Sequence, residues 1–164
     1  MYVSGILFAL LLSMLPVFEL RAGIPLAVAS GLDVFTAFLL CTVANILIIP
    51  FILLFLEYIN HFFLRIKGYK IIFDKMILKK RAFIAKHIKP EFEYVGLLIF
   101  VAVPVPGTGA YSGALLAWLL GLHKKSFLKT VLILSAGVII AGIIIAVAIS
   151  GIMTLPALLS SLSS

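Results

Sequence analysis

Apolar residues dominate this chain, and the places where they stop set its plan. Residues 2–15, YVSGILFALLLSML, are apolar but shorter than the roughly 17 to 25 residues a spanning helix needs. PVFELRAGIP, residues 16–25, then sets Glu19, Arg21 and Gly23 between Pro16 and Pro25. Apolar character resumes at Leu26, pauses over Ser30 to Asp33, and runs on from 34 to 59 with Asn45 and Pro50 inside it. That run is long enough to span a bilayer with tilt. Residues 60–94 are mixed. Phe73, Ile77, Ile84 and Ile88 fall near helical spacing, with Lys75, Lys79, Arg81 and Lys86 mostly elsewhere on the wheel. The pattern predicts a basic amphipathic helix on a membrane surface that Pro90 closes, with a solvated connector as the alternative.

Apolar residues return at 95–103, too few to span, and break at PVPGTG. Pro104 and Pro106 remove two backbone donors, while Gly107 and Gly109 admit conformations that other residues resist. AYSGALLAWLLGL, residues 110–122, is again short, and His123, Lys124, Lys125 and Lys129 follow. Residues 130–149 form a clean span, and the Ser-rich tail reads as disordered. Each half thus repeats one order: short arm, Pro/Gly break, short arm ending in Gly-Leu (Gly31-Leu32, Gly121-Leu122), long span. Matching interrupted segments in two halves point to a transporter's site. Broken backbone at membrane depth is tolerated only where protein or a water-filled cavity covers it.

Composition makes this a membrane protein. The chain is 64% hydrophobic with a mean hydropathy of +1.31, against about half apolar in a soluble domain. Its net charge of +7 is local, because nine of the thirteen Lys and Arg residues lie in 60–94, so no nucleic-acid partner is implied. Basic residues beside apolar spans are topology signals and place 60–94 in the cytoplasm. If residues 95–122 crossed as one broken helix, Lys124, Lys125 and Lys129 would lie outside, against that rule. A re-entrant hairpin keeps them inside. The first half then mirrors it from outside, and the two tips meet near the midplane.

The expected fold is an all-α integral membrane protein of one domain, 1–164. Two inverted repeats (1–59 and 95–164), each a re-entrant helical hairpin plus a long transmembrane helix, are joined by the cytoplasmic amphipathic connector 60–94. Residues 2–15 lack the basic start and cleavage pattern of a signal peptide and are kept in the mature chain. Two spans enclose little alone, so a homo-oligomer is expected, with a dimer favoured. Its place is the plasma membrane, with several passes.

Glu19 and Arg21 are the ionisable residues of the first break, and charge at the membrane centre is costly and usually functional. An extended tip from Pro16 to Pro25 would put both side chains on one face. Glu19 in a poorly solvated site is a candidate to exchange a proton near neutral pH. Arg21 stays charged and suits a phosphate or carboxylate. The alternative for the pair is a structural ion pair locking the tip. Helices starting at Ile24-Pro25 and near Gly109 would aim their N-termini at an anion. Thr108, Tyr111 and Ser112 offer hydroxyls, or serve capping and packing, with Thr108 a plausible N-cap. Asn45 either bonds across helices or lines the cavity. Cys41, the one cysteine, reads as a packing residue. Trp118 and Tyr58 read as packing or interface aromatics, and no site is read into Glu57, His61, His87 or His123. No metal-ligand spacing, cofactor motif or hydrolase arrangement is present, so an enzyme is not expected.

Pro16 to Pro25 together with Phe100 to Ala114, and the continuation Leu115 to Leu122, resemble the small multi-drug export protein family of bacteria and archaea. The resemblance covers nearly the whole chain and implies export of small molecules. The family is in turn distantly similar to the DedA superfamily, whose paired re-entrant hairpins are implicated in moving lipids such as polyprenyl phosphates. DedA proteins carry arginines in the second hairpin region. This chain has none between Pro104 and Leu122, which leaves Arg21 to take that role. Three readings follow. The first is a proton-coupled secondary transporter of small or amphipathic substrates with a midplane site. The others are a DedA-like flippase or scramblase of phosphate-bearing lipids, and a structural assembly factor. Membrane lipids are partners in each.

Overall fold

The computed structural model describes residues 2–63, 90–105 and 107–162. The basic stretch of the expected connector and Pro106 therefore lie outside the described residues. Every regular element among those described is a helix. Helix α1 (Tyr2–Ser13) and helix α2 (Glu19–Ala29) pack on each other, and helix α3 (Val34–Phe63) follows. The second half repeats the order with α4 (Pro90–Ala102), α5 (Ala110–Leu120), a single turn α6 (Leu122–Lys125) and the long α7 (Phe127–Leu162). Both long apolar runs become helices, with stretches at 34–59 and 127–156 long and apolar enough to cross a membrane.

Three boundaries differ from expectation. The tip after Pro16 is not extended through Pro25. Helix α2 starts at Glu19 and carries Pro25 inside it. Leu20, Ile24 and Ala27 form one buried stripe at helical spacing, and this packing sets the start rather than the proline. Pro25 itself is exposed, and within the helix it costs the donor to the Arg21 carbonyl. Pro90 opens α4 rather than only closing the connector, and α4 takes in residues to Tyr94. The tail is helical, because α7 continues through Pro156 to Leu162.

The arms are short. At 1.5 Å per residue α1 and α2 are about 16–18 Å long and α4 and α5 about 16–20 Å, roughly half the hydrocarbon core. Each pair returns to where it began. A Cβ on Gly5, near the start of α1, would touch Ser30 Oγ, just past the end of α2. Glu93, near the start of α4, accepts a 2.7 Å bond from Lys125 Nζ beyond the end of α5. Lys129 Nζ lies 4.5 Å from the Tyr94 ring centroid at the same end. The Gly-Leu pairs turn alike, since Gly31 and Gly121 both take positive φ, 101° and 73°.

Each long helix is entered through a cap. Ser126 Oγ accepts from Lys129 N–H at 3.3 Å, and Asp33 Oδ2 accepts from Thr36 N–H at 2.8 Å. The Thr36 N–H holds the exposed Asp33 carboxyl below its ordinary range. A lowered folded value means stabilisation that is present above about pH 4 and lost as the pH falls through the folded value. Thermal scans across about pH 2 to 7 are expected to show this acid loss shrink in Asp33→Asn, which keeps the cap without the charge.

Helices α3 and α7 pack on each other and contribute to the core, in which Cys41, Ile49, Leu53, Leu134 and Val138 are buried. Cys41 sits there as a packing residue.

Candidate functional site

The breaks of the two halves meet. Arg21, on the first turn of α2, donates through Nη2 to the Thr108 carbonyl and, at 3.0 Å, to Thr108 Oγ1. Tyr111 crosses the other way: its hydroxyl donates to the Met14 carbonyl, and its N–H donates to Glu19 Oε1 at 3.1 Å. Four side-chain contacts thus tie residues 14–21 to residues 108–111.

Thr108 does not cap α5. Its Oγ1 lies 2.5 and 2.8 Å from the Val103 and Val105 carbonyls, donates to one of them, and accepts from Val105 N–H at 3.2 Å. Both carbonyls also take a backbone donor, Val103 from Val105 N–H at 2.8 Å and Val105 from Thr108 N–H at 3.0 Å, so the hydroxyl adds a second link inside a loop from which two prolines remove donors. Gly109 is the N-cap instead, at φ 145°, a conformation that favours glycine. A Cβ there would overlap the Glu19 carboxylate, so the close approach also requires glycine. Gly23 is needed for a different contact, as a Cβ would run into Ser13 Oγ.

Glu19 is held under strain. It is 8% exposed and has φ 46°, the one non-glycine at positive φ among the described residues. Such geometry persists where surrounding contacts over-determine it, and it clusters at functional sites. The Tyr111 amide supplies one of those contacts.

Glu19 and Arg21 lie between two spaces. A cleft of about 240 Å³ is lined by Pro16, Val17, Glu19, Arg21, Gly107, Thr108 and Ser112. Ser112 Oγ is 3.5 Å from the Gly109 carbonyl, leaving the hydroxyl available to the cleft. On the inner side a cavity of about 10 Å³ is bounded by Glu19, Arg21, Asn45, Pro104, Gly109 and apolar residues of α4 and α7. Asn45 lines this cavity, and its Nδ2 donates to the Ser13 carbonyl at 3.1 Å.

A second cluster joins residues to which the sequence assigned no site. Glu57 Oε2 accepts from Trp118 Nε1 at 3.2 Å and lies 3.1 Å from His123 Nε2, while Oε1 pairs with Lys124 Nζ at 3.1 Å. The Trp118 and His123 rings stack. The sequence held one signal for it, a lone carboxylate at the end of a span against a His-Lys-Lys run. Tyr58 stands exposed, as an interface aromatic would. Among the described residues no three of His, Cys, Asp and Glu are grouped to hold a metal ion.

Comparison with curated proteins and with solved structures finds no match. Residues 19–144 match the family described as "Putative small multi-drug export protein", and the chain belongs to that family. The matched range begins at Glu19 and takes in both breaks.

Proposed function

We propose that this family member is a secondary transporter whose substrate binds in the cleft between the two breaks, with Glu19 as the proton carrier and Arg21 as the anion contact. The observation that carries it is the placing of Glu19 and Arg21 between a cleft and a smaller cavity, where the halves touch. Arg21 spends Nη2 on Thr108 and keeps further donors of its five for a ligand. Ser112, with the hydroxyl of Thr108, adds a polar wall. The first turn of α5 aims its N–H groups the same way, and Glu19 takes that of Tyr111.

In this reading α1–α2 and α4–α5 are re-entrant hairpins entering from opposite faces, as inverted repeats. Arms of half the membrane thickness support it, as do the pairing of Gly5 with Ser30 at one end and of Glu93 with Lys125 at the other. The lysines at 124, 125 and 129 then share the cytoplasmic face with the basic segment after α3. Side-specific labelling tests the topology. With a single cysteine at Lys124 in a Cys41→Ser background, an impermeant maleimide is expected to react in inverted vesicles and not in intact cells. Reaction in intact cells would make residues 90–122 one crossing, and the facing tips would be lost.

One observation favours a second reading, a flippase for phosphate-bearing lipids. The cleft mouth is apolar: Val17 is 77% exposed, and Phe18 and Val105 are exposed beside it. A lipid entering sideways would keep its chains there and its headgroup on Arg21. Proteoliposomes separate the two. Uptake of a soluble amphipathic dye that follows an imposed pH gradient supports the transporter. Gradient-independent movement of an anionic lipid between leaflets supports the flippase.

A further inference from the structure

Asn45 is 1% exposed, yet half of its amide is unused. Nδ2 is spent on the Ser13 carbonyl, and Oδ1 has no hydrogen-bond partner among the described residues. A buried acceptor without a partner is costly and calls for an explanation. This one belongs to the wall of the inner cavity that Glu19 and Arg21 also line, whose other walls include Val101, Val138 and Ala141. The cavity, about 10 Å³, is at the lower limit of what holds one water. Glu19 and Arg21 carry opposite charges, so a neutral occupant suits it better than an ion.

Glu19 has its own need. The Tyr111 and Ala110 N–H groups beside it only donate, and the Arg21 charge lies near, so its surroundings suit the carboxylate. A protonated Glu19 has an O–H to place and requires an acceptor. Helices α3, α4 and α7 bring no further charged group to this cavity; they bring Asn45 and apolar side chains.

We propose that the inner cavity is a binding site for a single water molecule that links Glu19 to Asn45 Oδ1. Beside the carboxylate, the water donates one hydrogen to Glu19 and the other to Asn45. Beside the carboxylic acid, it accepts the Glu19 proton in a hydrogen bond and still donates to Asn45. No proton passes to the amide. The water changes its sense, and both states of Glu19 stay hydrogen-bonded. The role for Glu19 rests on the transporter reading above, whereas the site itself is tested without any substrate.

The test is an isosteric pair at Ala141 in the full-length protein in detergent. Ala141→Val fills the cavity and expels the water, leaving Asn45 Oδ1 buried and unpaired. Ala141→Thr has the same shape but brings its own hydroxyl donor. The expected result is a Tm for Ala141→Val about 2–10 °C below that of Ala141→Thr. In an Asn45→Leu background, where no orphan oxygen remains, the gap should close. A valine variant as stable as the threonine one would mean a dry cavity and overturn the proposal. So would a Tm for the native protein that rises when sodium replaces choline, since a cation would then be the ligand. If the isosteric gap is found but Glu19→Gln still transports down a pH gradient, the water site stands and the proton-carrier role falls.

Discussion

Glu19→Gln is expected to abolish transport driven by an imposed pH gradient while leaving a folded protein. Glutamine keeps the shape and an acceptor oxygen for the Tyr111 N–H, so the 3.1 Å link between the two breaks survives. What is lost is the exchangeable proton and the attraction to Arg21. A hydrogen bond to a charged acceptor contributes about 1.5–3 kcal/mol and a neutral one about 0.5–1.5, so the exchange costs about 1 kcal/mol. Relief of charge burial at membrane depth offsets part of that. Against a total stability of about 5–15 kcal/mol, the fold persists. Transport has no such reserve, because a group that cannot release a proton cannot couple to a proton gradient. Dye flux in proteoliposomes with an imposed pH step reads the first effect, and unfolding in detergent reads the second. Gradient-driven flux at the native level in Glu19→Gln would exclude Glu19 as the carrier. Loss of folding would instead assign Glu19 to the structure of the tip.

Much of this arrangement is legible in the sequence, for reasons that hold residue by residue. Two long apolar runs, with Glu57 near the end of the first as their one charge, become helices, because a helix satisfies its own backbone in an apolar setting. The second Pro/Gly break becomes non-helical backbone at 103–105 and 107–109, the first only at 14–18, and the Gly-Leu pairs become matching turns at positive φ. Glu19 and Arg21 come against the 108–111 segment, as facing breaks would place them. The helix start at Glu19 was hidden because Pro25 reads as a helix opener. Yet Leu20, Ile24 and Ala27 held the competing signal, a buried stripe whose packing outweighs one lost hydrogen bond. Thr108 read as a cap from its position alone. Its hydroxyl instead ties the Val103 and Val105 backbone of its own loop, a contact that position alone does not reveal. The Ser-rich tail read as disorder by composition, while the helix carries on to Leu162. The joining of Glu57 to Trp118, His123 and Lys124 has no periodic signature, since it depends on α3 and α5 packing across a separation of 61 residues or more in the chain.

The tightest part of the site is the approach of Gly109 to Glu19, and Gly109→Ala should break it. Two costs add. The φ of 145° is strained for any side chain, and the new Cβ would overlap the Glu19 carboxylate. Backbone strain of about 1–3 kcal/mol and overpacking of about 1–3 kcal/mol give about 2–6 kcal/mol in all. Gly107→Ala is the control. Gly107 also has positive φ, 92°, but a Cβ there meets nothing within 4 Å, so the strain alone remains. The difference between the two variants isolates the contact with Glu19. Truncating the carboxylate then relieves it: in a Glu19→Ala background, Gly109→Ala should cost no more than Gly107→Ala does. Denaturation midpoints of the four variants in detergent give this cycle directly. Glu19 can also escape by swinging aside, which would lower the stability cost. The Tyr111 N–H would then lose its acceptor, and gradient-driven flux would fall even though the protein stays folded. Native stability together with native flux in Gly109→Ala would mean that the carboxylate does not sit against this glycine, and the site between the two breaks would have to be drawn without it.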